Sequence, residues 1–189
     1  IIGYGSIGRA TARLASAFGM KVLALKRNPS VLTDPGWSPT GVGDPEGRIP
    51  DRIFGPEERE AILSESDFVI AILPLTQATR RFIGASELAA MKPHAFLINI
   101  GRGEVVEQTA LIEALENRRI CGAGLDVFER EPLEPESPLW DMEEVIMTPH
   151  MAGPFRGYLD LSCELFAENL RRFSGGQPLL NEIDWSLGY

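Results

Sequence analysis

Ile1-Ile2-Gly3-Tyr4-Gly5-Ser6-Ile7-Gly8 begins the chain, a GxGxxG turn between a β-like dipeptide and a stretch of helical periodicity. Ile7, Ala10, Thr11, Leu14, Ala15 and Phe18 recur at helical spacing, which predicts a helix ending near Phe18, before Gly19. A turn of this kind has three physical requirements. Gly3 allows a tight reversal, Gly5 lets the backbone approach a pyrophosphate, and Gly8 lets helix and strand pack closely. The helix then offers free N–H groups and its positive dipole end to an anion. An ordinary glycine-rich turn is the competing reading, and the strand-turn-helix context favours the anion site.

Beyond this turn the chain alternates β-like runs with helical stretches, the pattern of an α/β protein with a parallel sheet. Strands are expected at Val22–Leu25, Phe68–Ile72, Ala95–Ile100, Cys121–Leu125 and Val145–Met147. Helices are expected at Glu57–Ser64, from a Ser86 cap through Met91, at Gln108–Asn117, and from Tyr158 to Phe173 with Leu161, Leu165, Phe166 and Leu170 inward. Residues 28–56 break the rhythm with Pro29, Pro35, Pro39, Pro45, Pro50 and Pro56, and read as a long loop with room for one short strand.

The composition narrows the function. The 189 residues carry a formal net charge of −9, with 44% hydrophobic and 24% charged residues. An acidic chain without a basic stripe is a poor nucleic-acid partner. No apolar run approaches the ~20 residues that cross a bilayer. Cys121 and Cys163 form no CxxC pair, no metal-ligand cluster stands out, and a reducing, cytoplasmic setting is the simplest expectation.

Ligands of open α/β sheets bind beyond the carboxyl ends of the strands. After the second strand stand Lys26 and Arg27, where a carboxylate usually accepts hydrogen bonds from an adenosine ribose. Two cations there suit a 2′-phosphate; a solvated basic turn is the other reading. After the third strand comes Leu73-Pro74-Leu75-Thr76, and after the fourth Gly101-Arg102-Gly103, whose Arg has room to fork onto a carboxylate. Asp126 and Glu131-Pro132 follow the fifth, and Thr148-Pro149-His150-Met151-Ala152-Gly153 the sixth. His94 reads as a solvated turn residue. His150 alone is as readily structural as catalytic, but its shared edge with Gly3–Gly8, Arg102 and Glu131 favours catalysis.

Together these motifs resemble the D-2-hydroxyacid dehydrogenase family. The resemblance runs through Gly-Tyr-Gly-Ser-Ile-Gly at 3–8, Pro-Leu-Thr at 74–76 and Ile-Asn-Ile-Gly-Arg-Gly at 98–103. It continues with Gly-Ala-Gly-Leu-Asp-Val-Phe-Glu-Arg-Glu-Pro-Leu at 122–133, Ser-Pro-Leu-Trp at 137–140 and Thr-Pro-His-Met-Ala-Gly at 148–153. It implies a Rossmann-type doubly wound sheet, with a coenzyme domain at 1–153 and, at 154–189, the helix and tail of a substrate domain built mostly from upstream residues. It implies a catalytic set of Arg102, Glu131 and His150. Gly3, Gly5, Ser6, Ile7, Gly8, Lys26, Arg27, Leu73, Pro74, Ile100, Gly101, Asp126 and Gly153 are the expected coenzyme contacts. The implied activity is hydride transfer between NAD(P)H and a small 2-keto or 2-hydroxy acid, in a homodimer.

Three departures stand out. Lys26 replaces the usual acidic residue, which favours NADP over NAD. Ile72 stands where His is frequent, and Pro154-Phe155 where Thr is common. The rival reading is a non-catalytic, corepressor-like dinucleotide sensor on the same scaffold. The short-chain dehydrogenase type is disfavoured because Tyr-x-x-x-Lys is absent. With only Ile1-Ile2 before Gly3, the expectation is that this stretch alone binds coenzyme without turning over substrate. Phe166, Leu179, Leu180 and Trp185, in the tail from Tyr158 to Tyr189, would then lack apolar cover.

Overall fold

The structure is a computed structural model and describes residues 1–34, 36–39, 41–185 and 188. Along the chain come α1 (Ser6–Ala17), β1 (Leu23–Leu25), β2 (Arg52–Phe54), α2 (Arg59–Glu65), β3 (Phe68–Ala71) and α3 (Ala85–Ala90). They are followed by β4 (Phe96–Asn99), α4 (Gln108–Glu116), β5 (Gly122–Leu125), β6 (Val145–Met147) and α5 (Tyr158–Ser174). The expected strands and helices are therefore present, and β2 is the short strand inside the proline-rich stretch. Pro35, Ser186, Leu187 and Tyr189 lie outside the described residues.

All the strand pairings are parallel: β1 with β2, and β3-β4-β5-β6 in a row. Ile2 joins the two groups by bridging Leu25 on one side and Ala71 on the other. Its N–H donates to Ile70 O, and its carbonyl accepts from Ile72 N–H, each at 2.8 Å. The sheet thus reads β2-β1-Ile2-β3-β4-β5-β6. The chain winds outward from Ile2 first one way and then the other. That reversal is the doubly wound arrangement, and it opens a crevice beside Gly3 at the carboxyl edge.

The core lies against this sheet. Leu25, Phe54, Val69 and Leu97 from the strands pack with Ile62, Leu63, Leu88, Leu111 and Leu115 from α2, α3 and α4. Burial of each such side chain contributes ~1.5–3 kcal/mol, so the helices are held mainly by their apolar faces. Glu87 fixes the start of α3. It accepts the Gly84 N–H at 3.0 Å and pairs with Arg59 at 2.9 Å. The expected Ser86 cap is corrected: Gly84 is the N-cap, and the Ser86 hydroxyl donates to Glu87 at 2.9 Å from inside the helix.

Packing decides two further helix faces, and that of α5 differs from expectation. In α1 Ile7 and Leu14 point out, with Phe18 beyond the helix end 85% exposed, while Gly8, Arg9 and Ala12 are buried and Ala15 is half-buried against the core. A Cβ on Gly8 would lie 2.2 Å from Gly3 O, so no side chain fits at that position. In α5 no residue is buried: Leu161 and Leu165 are half-buried, Phe166 is 70% exposed, and Leu170 is exposed. Its amphipathic pattern has no covering surface among the described residues. Leu180 is half-buried, and Leu179 and Trp185 are exposed.

Candidate active site

The three glycines of the first turn meet different surroundings. Gly3 has φ +107°, and a Cβ there would lie 2.5 Å from Ile72 O. Gly8 admits no side chain for the reason given above. Gly5 faces open space, with nothing within 4 Å of a built Cβ. It is the N-cap of α1, and Ser6 and Ile7 beside it are exposed. The first N–H groups of a helix lack intrahelical acceptors, so this surface suits a pyrophosphate. Bulk is excluded where the backbone packs and absent where a ligand would lie, so the cradle fits a dinucleotide.

At the next strand end the buried Asn99 side chain shapes the turn. Its Oδ1 accepts the Gly101 N–H and its Nδ2 donates to Arg102 O, each at 3.1 Å. Gly101 lies against the Leu73-Pro74 segment, since its Cβ would be 2.8 Å from Leu73 O. Ile100, next to Gly101, is half-buried. Gly103 abuts the Phe128 backbone, where a Cβ would come within 1.9 Å of the carbonyl carbon and oxygen. Arg102 is therefore held on a short turn between two close backbone approaches. Its side chain is exposed, and Nη1 donates to Gly101 O at 2.8 Å.

Asp126 organises the last two loops. It is buried, and it accepts the Thr148 hydroxyl at 2.5 Å, the Met151 N–H at 2.8 Å and the Ala152 N–H at 2.9 Å. Its carbonyl accepts the His150 N–H at 2.8 Å. Burial alone would raise the Asp126 carboxyl; the hydrogen bonds from Thr148, Ala152 and Met151, with the His150 charge, outweigh it and hold the group below the usual carboxylate range. A depressed carboxylate contributes stability above its unfolded pKa and loses it as pH falls through the folded one, so this corner holds at neutral pH and loosens in acid. His150 takes a left-handed backbone, φ 49°. Its Nδ1 lies 2.8 Å from Glu131 Oε2, while Glu131 Oε1 accepts the Phe128 N–H at 3.1 Å. Burial would likewise raise Glu131, but the bonds from His150 and Phe128 and the imidazolium charge lower it. Gly153 next to this loop is open, with nothing within 4 Å of a built Cβ.

The residues matched by the family described as "D-isomer specific 2-hydroxyacid dehydrogenase, NAD binding domain" are 1–152. The chain belongs to the D-isomer specific 2-hydroxyacid dehydrogenase family. This dehydrogenase domain is 42% identical to the glyoxylate reductase of Thermococcus gammatolerans, over 94% of the chain and 48% of that relative. A D-isomer specific 2-hydroxyacid dehydrogenase from Xanthobacter autotrophicus Py2, solved with NADPH and MES, superposes with a TM-score of 0.84 at 35% identity. That match covers 100% of this chain and 71% of the other. The NADPH-dependent glyoxylate/hydroxypyruvate reductase of Sinorhizobium meliloti, solved with NADP and sulfate, gives 0.83 at 31%, over 100% of this chain and 56% of the other. The chain spans about half the length of the curated relatives it matches. No helix among the described residues is long and apolar enough to cross a membrane.

Within this dehydrogenase domain the expected site residues gather on one edge, with one qualification. Lys26 is half-buried and folds back along its own loop, its ammonium donating to Val31 O, while Arg27 is exposed. Burial, with Arg9 adding and Asp34 opposing, lowers the Lys26 amine from its ordinary value. A cavity of about 590 Å³ lies at the opposite sheet edge, lined by Ile1, Leu23, Glu65, Phe68 and Lys92, and has no part in this site. Several other residues that shape the edge carry little signal in the sequence. Asn99 and Thr148 lay within quoted motifs, and their signal was polarity at the end of an otherwise apolar strand. Tyr4, Arg9 and Asp44 are buried in one polar cluster that no local pattern marks.

Proposed function

We propose that the protein carrying this domain uses NADPH to reduce a small 2-keto acid to the 2-hydroxy acid, glyoxylate to achiral glycolate or hydroxypyruvate to the D isomer of glycerate. The observation that carries this reading is the His150–Glu131 pair, at 2.8 Å, on the edge shared with the glycine turn and Arg102. Gly3, Gly5, Ser6, Ile7, Gly8, Leu73, Pro74, Ile100, Gly101, Asp126 and Gly153 would hold the coenzyme. Bound there, the dihydronicotinamide supplies the hydride. The other work falls to side chains. Arg102 forks onto the substrate carboxylate and polarises the adjacent carbonyl. His150 donates a proton from Nε2 to the developing alkoxide and takes it back in the reverse direction. Nδ1, which faces Glu131, fixes the ring and its tautomer.

NADP is favoured because Lys26 and Arg27 stand where a ribose-binding carboxylate would, and neither accepts a hydrogen bond from a ribose hydroxyl. Two relatives solved with NADP or NADPH accord with this. Residues 1–153 are read as the coenzyme domain and 154–189 as helix and tail of a substrate domain. The homodimer reading is supported by the outward apolar residues of α1 and α5, among them Leu14, Phe166 and Phe173. The free, exposed Cys121 and Cys163 suit a reducing, cytoplasmic setting.

Steady-state reduction of glyoxylate by the full-length protein, followed against pH, tests the reading. Wild type is expected to turn over, with a lower KM for NADPH than for NADH. Absence of turnover would remove the enzymatic reading, and tighter use of NADH the coenzyme preference. Glu131→Gln should move the alkaline limit of reduction to lower pH. Its carboxylate favours the charged imidazole, so neutralising it lets the acid form disappear earlier. An unchanged pH–rate profile would count against the pairing.

A further inference from the structure

The excursion between β1 and β2 is folded around a charge. Arg9, in the first turns of α1, is only 2% exposed. Its guanidinium donates to the carbonyls of Asp44 and, at 2.6 Å, Leu32, and Nε lies 3.4 Å from an Asp34 carboxylate oxygen. It stacks over the Tyr4 ring at 4.8 Å. The Tyr4 hydroxyl donates to Asp44 Oδ2 at 2.7 Å, and that carboxylate also accepts the Arg48 and Ile49 N–H groups at 2.9 and 3.0 Å. A buried cation is stabilised by acceptors for its donors and by an opposite charge nearby. Here the Asp44 and Leu32 carbonyls accept from the two terminal nitrogens while Nε faces Asp34 without a hydrogen bond, so the excursion and α1 are tied through the two ends of the fork.

The tie bears on the chain leaving β1. Lys26 is held to Val31 O and Leu32 to Arg9, so residues 27–30 form a short span pinned at both ends. Within it the Asn28 side chain accepts the Ser30 N–H at 3.1 Å. Arg27 and Ser30 are exposed on this span, at the place where the adenosine ribose of a dinucleotide lies. We propose that Arg9 is a positioning residue for coenzyme selection: by holding Leu32 and Asp44 it fixes the Arg27–Ser30 span for the 2′-phosphate of NADP. This rests on the coenzyme reading above. Arg9 does not touch the phosphate; it acts through the span.

Arg9→Lys is the informative change, because it keeps the charge but loses the planar fork that reaches two carbonyls at once. Dissociation constants of NADPH and NADH would be measured by fluorescence titration of the full-length protein. Amide hydrogen exchange of residues 28–34 would be followed without coenzyme. The expected result is NADPH binding weakened about tenfold, NADH by no more than about twofold, and faster exchange at 28–34. Tyr4→Phe, which keeps Arg9 and loses one bond to Asp44, should shift the ratio the same way by about threefold, and it serves if Arg9→Lys does not fold. Equal loss for both coenzymes, or faster exchange with an unchanged affinity ratio, would overturn the proposal. Failure of the wild type to bind NADPH would overturn the coenzyme reading and this inference together.

Discussion

His150→Asn in the full-length protein is expected to lower kcat for keto-acid reduction by about a hundred- to ten-thousand-fold, the usual worth of a positioned general acid. Asn is chosen for a backbone reason. His150 has φ 49°, a left-handed conformation in which Asn and His are among the tolerated residues. The loop anchored by Asp126 through Met151 and Ala152 should therefore persist. What is lost is the imidazole and its proton. Coenzyme affinity should stay within about twofold, because the glycine turn is untouched. A rate loss under about tenfold would mean that the proton comes from elsewhere.

Gly103→Ala is expected to be the most damaging of the glycine substitutions for stability. Its Cβ would lie 1.9 Å from the Phe128 carbonyl, a backbone atom that no rotamer change can move aside. Relief requires separating the Arg102 turn from the Asp126–Phe128 segment, at a cost of about 2–4 kcal/mol. For a domain of this size that corresponds to a fall in Tm of roughly 5–15 °C. Gly5→Ala provides the contrast, since nothing lies within 4 Å of its added Cβ. It should leave Tm within about 2 °C and weaken coenzyme binding, because the methyl occupies the space a pyrophosphate needs. Equal Tm values for the two variants would contradict the packing described for the Arg102 turn.

The parts of the fold legible in the sequence were those governed by local chemistry. Continuous apolar runs such as Phe68–Ile72 marked buried parallel strands, and the glycine turn marked the switch point. Strand-end residues could be assembled on one edge without coordinates because a parallel sheet places all carboxyl ends together. Legibility failed where tertiary packing decided. The outward direction of Ile7 and Leu14 accompanies a contact so close that no side chain fits at Gly8, while Arg9 is buried because carbonyls of the β1–β2 excursion take its guanidinium. The direction of the Lys26 side chain depends on a carbonyl five residues away. The Tyr4–Arg9–Asp44 cluster joins residues up to 40 positions apart, a separation to which periodicity is blind.

In the proposed reaction NADPH held at this edge gives its hydride to a keto carbon while His150 supplies the proton. The most direct measurement uses NADPH deuterated at the transferring C4 position, with hydroxypyruvate as substrate and the full-length protein as catalyst. The expected product is D-glycerate carrying deuterium at C2, formed in step with NADPH oxidation. Product without deuterium at C2, L-glycerate, or coenzyme binding without any product would contradict it.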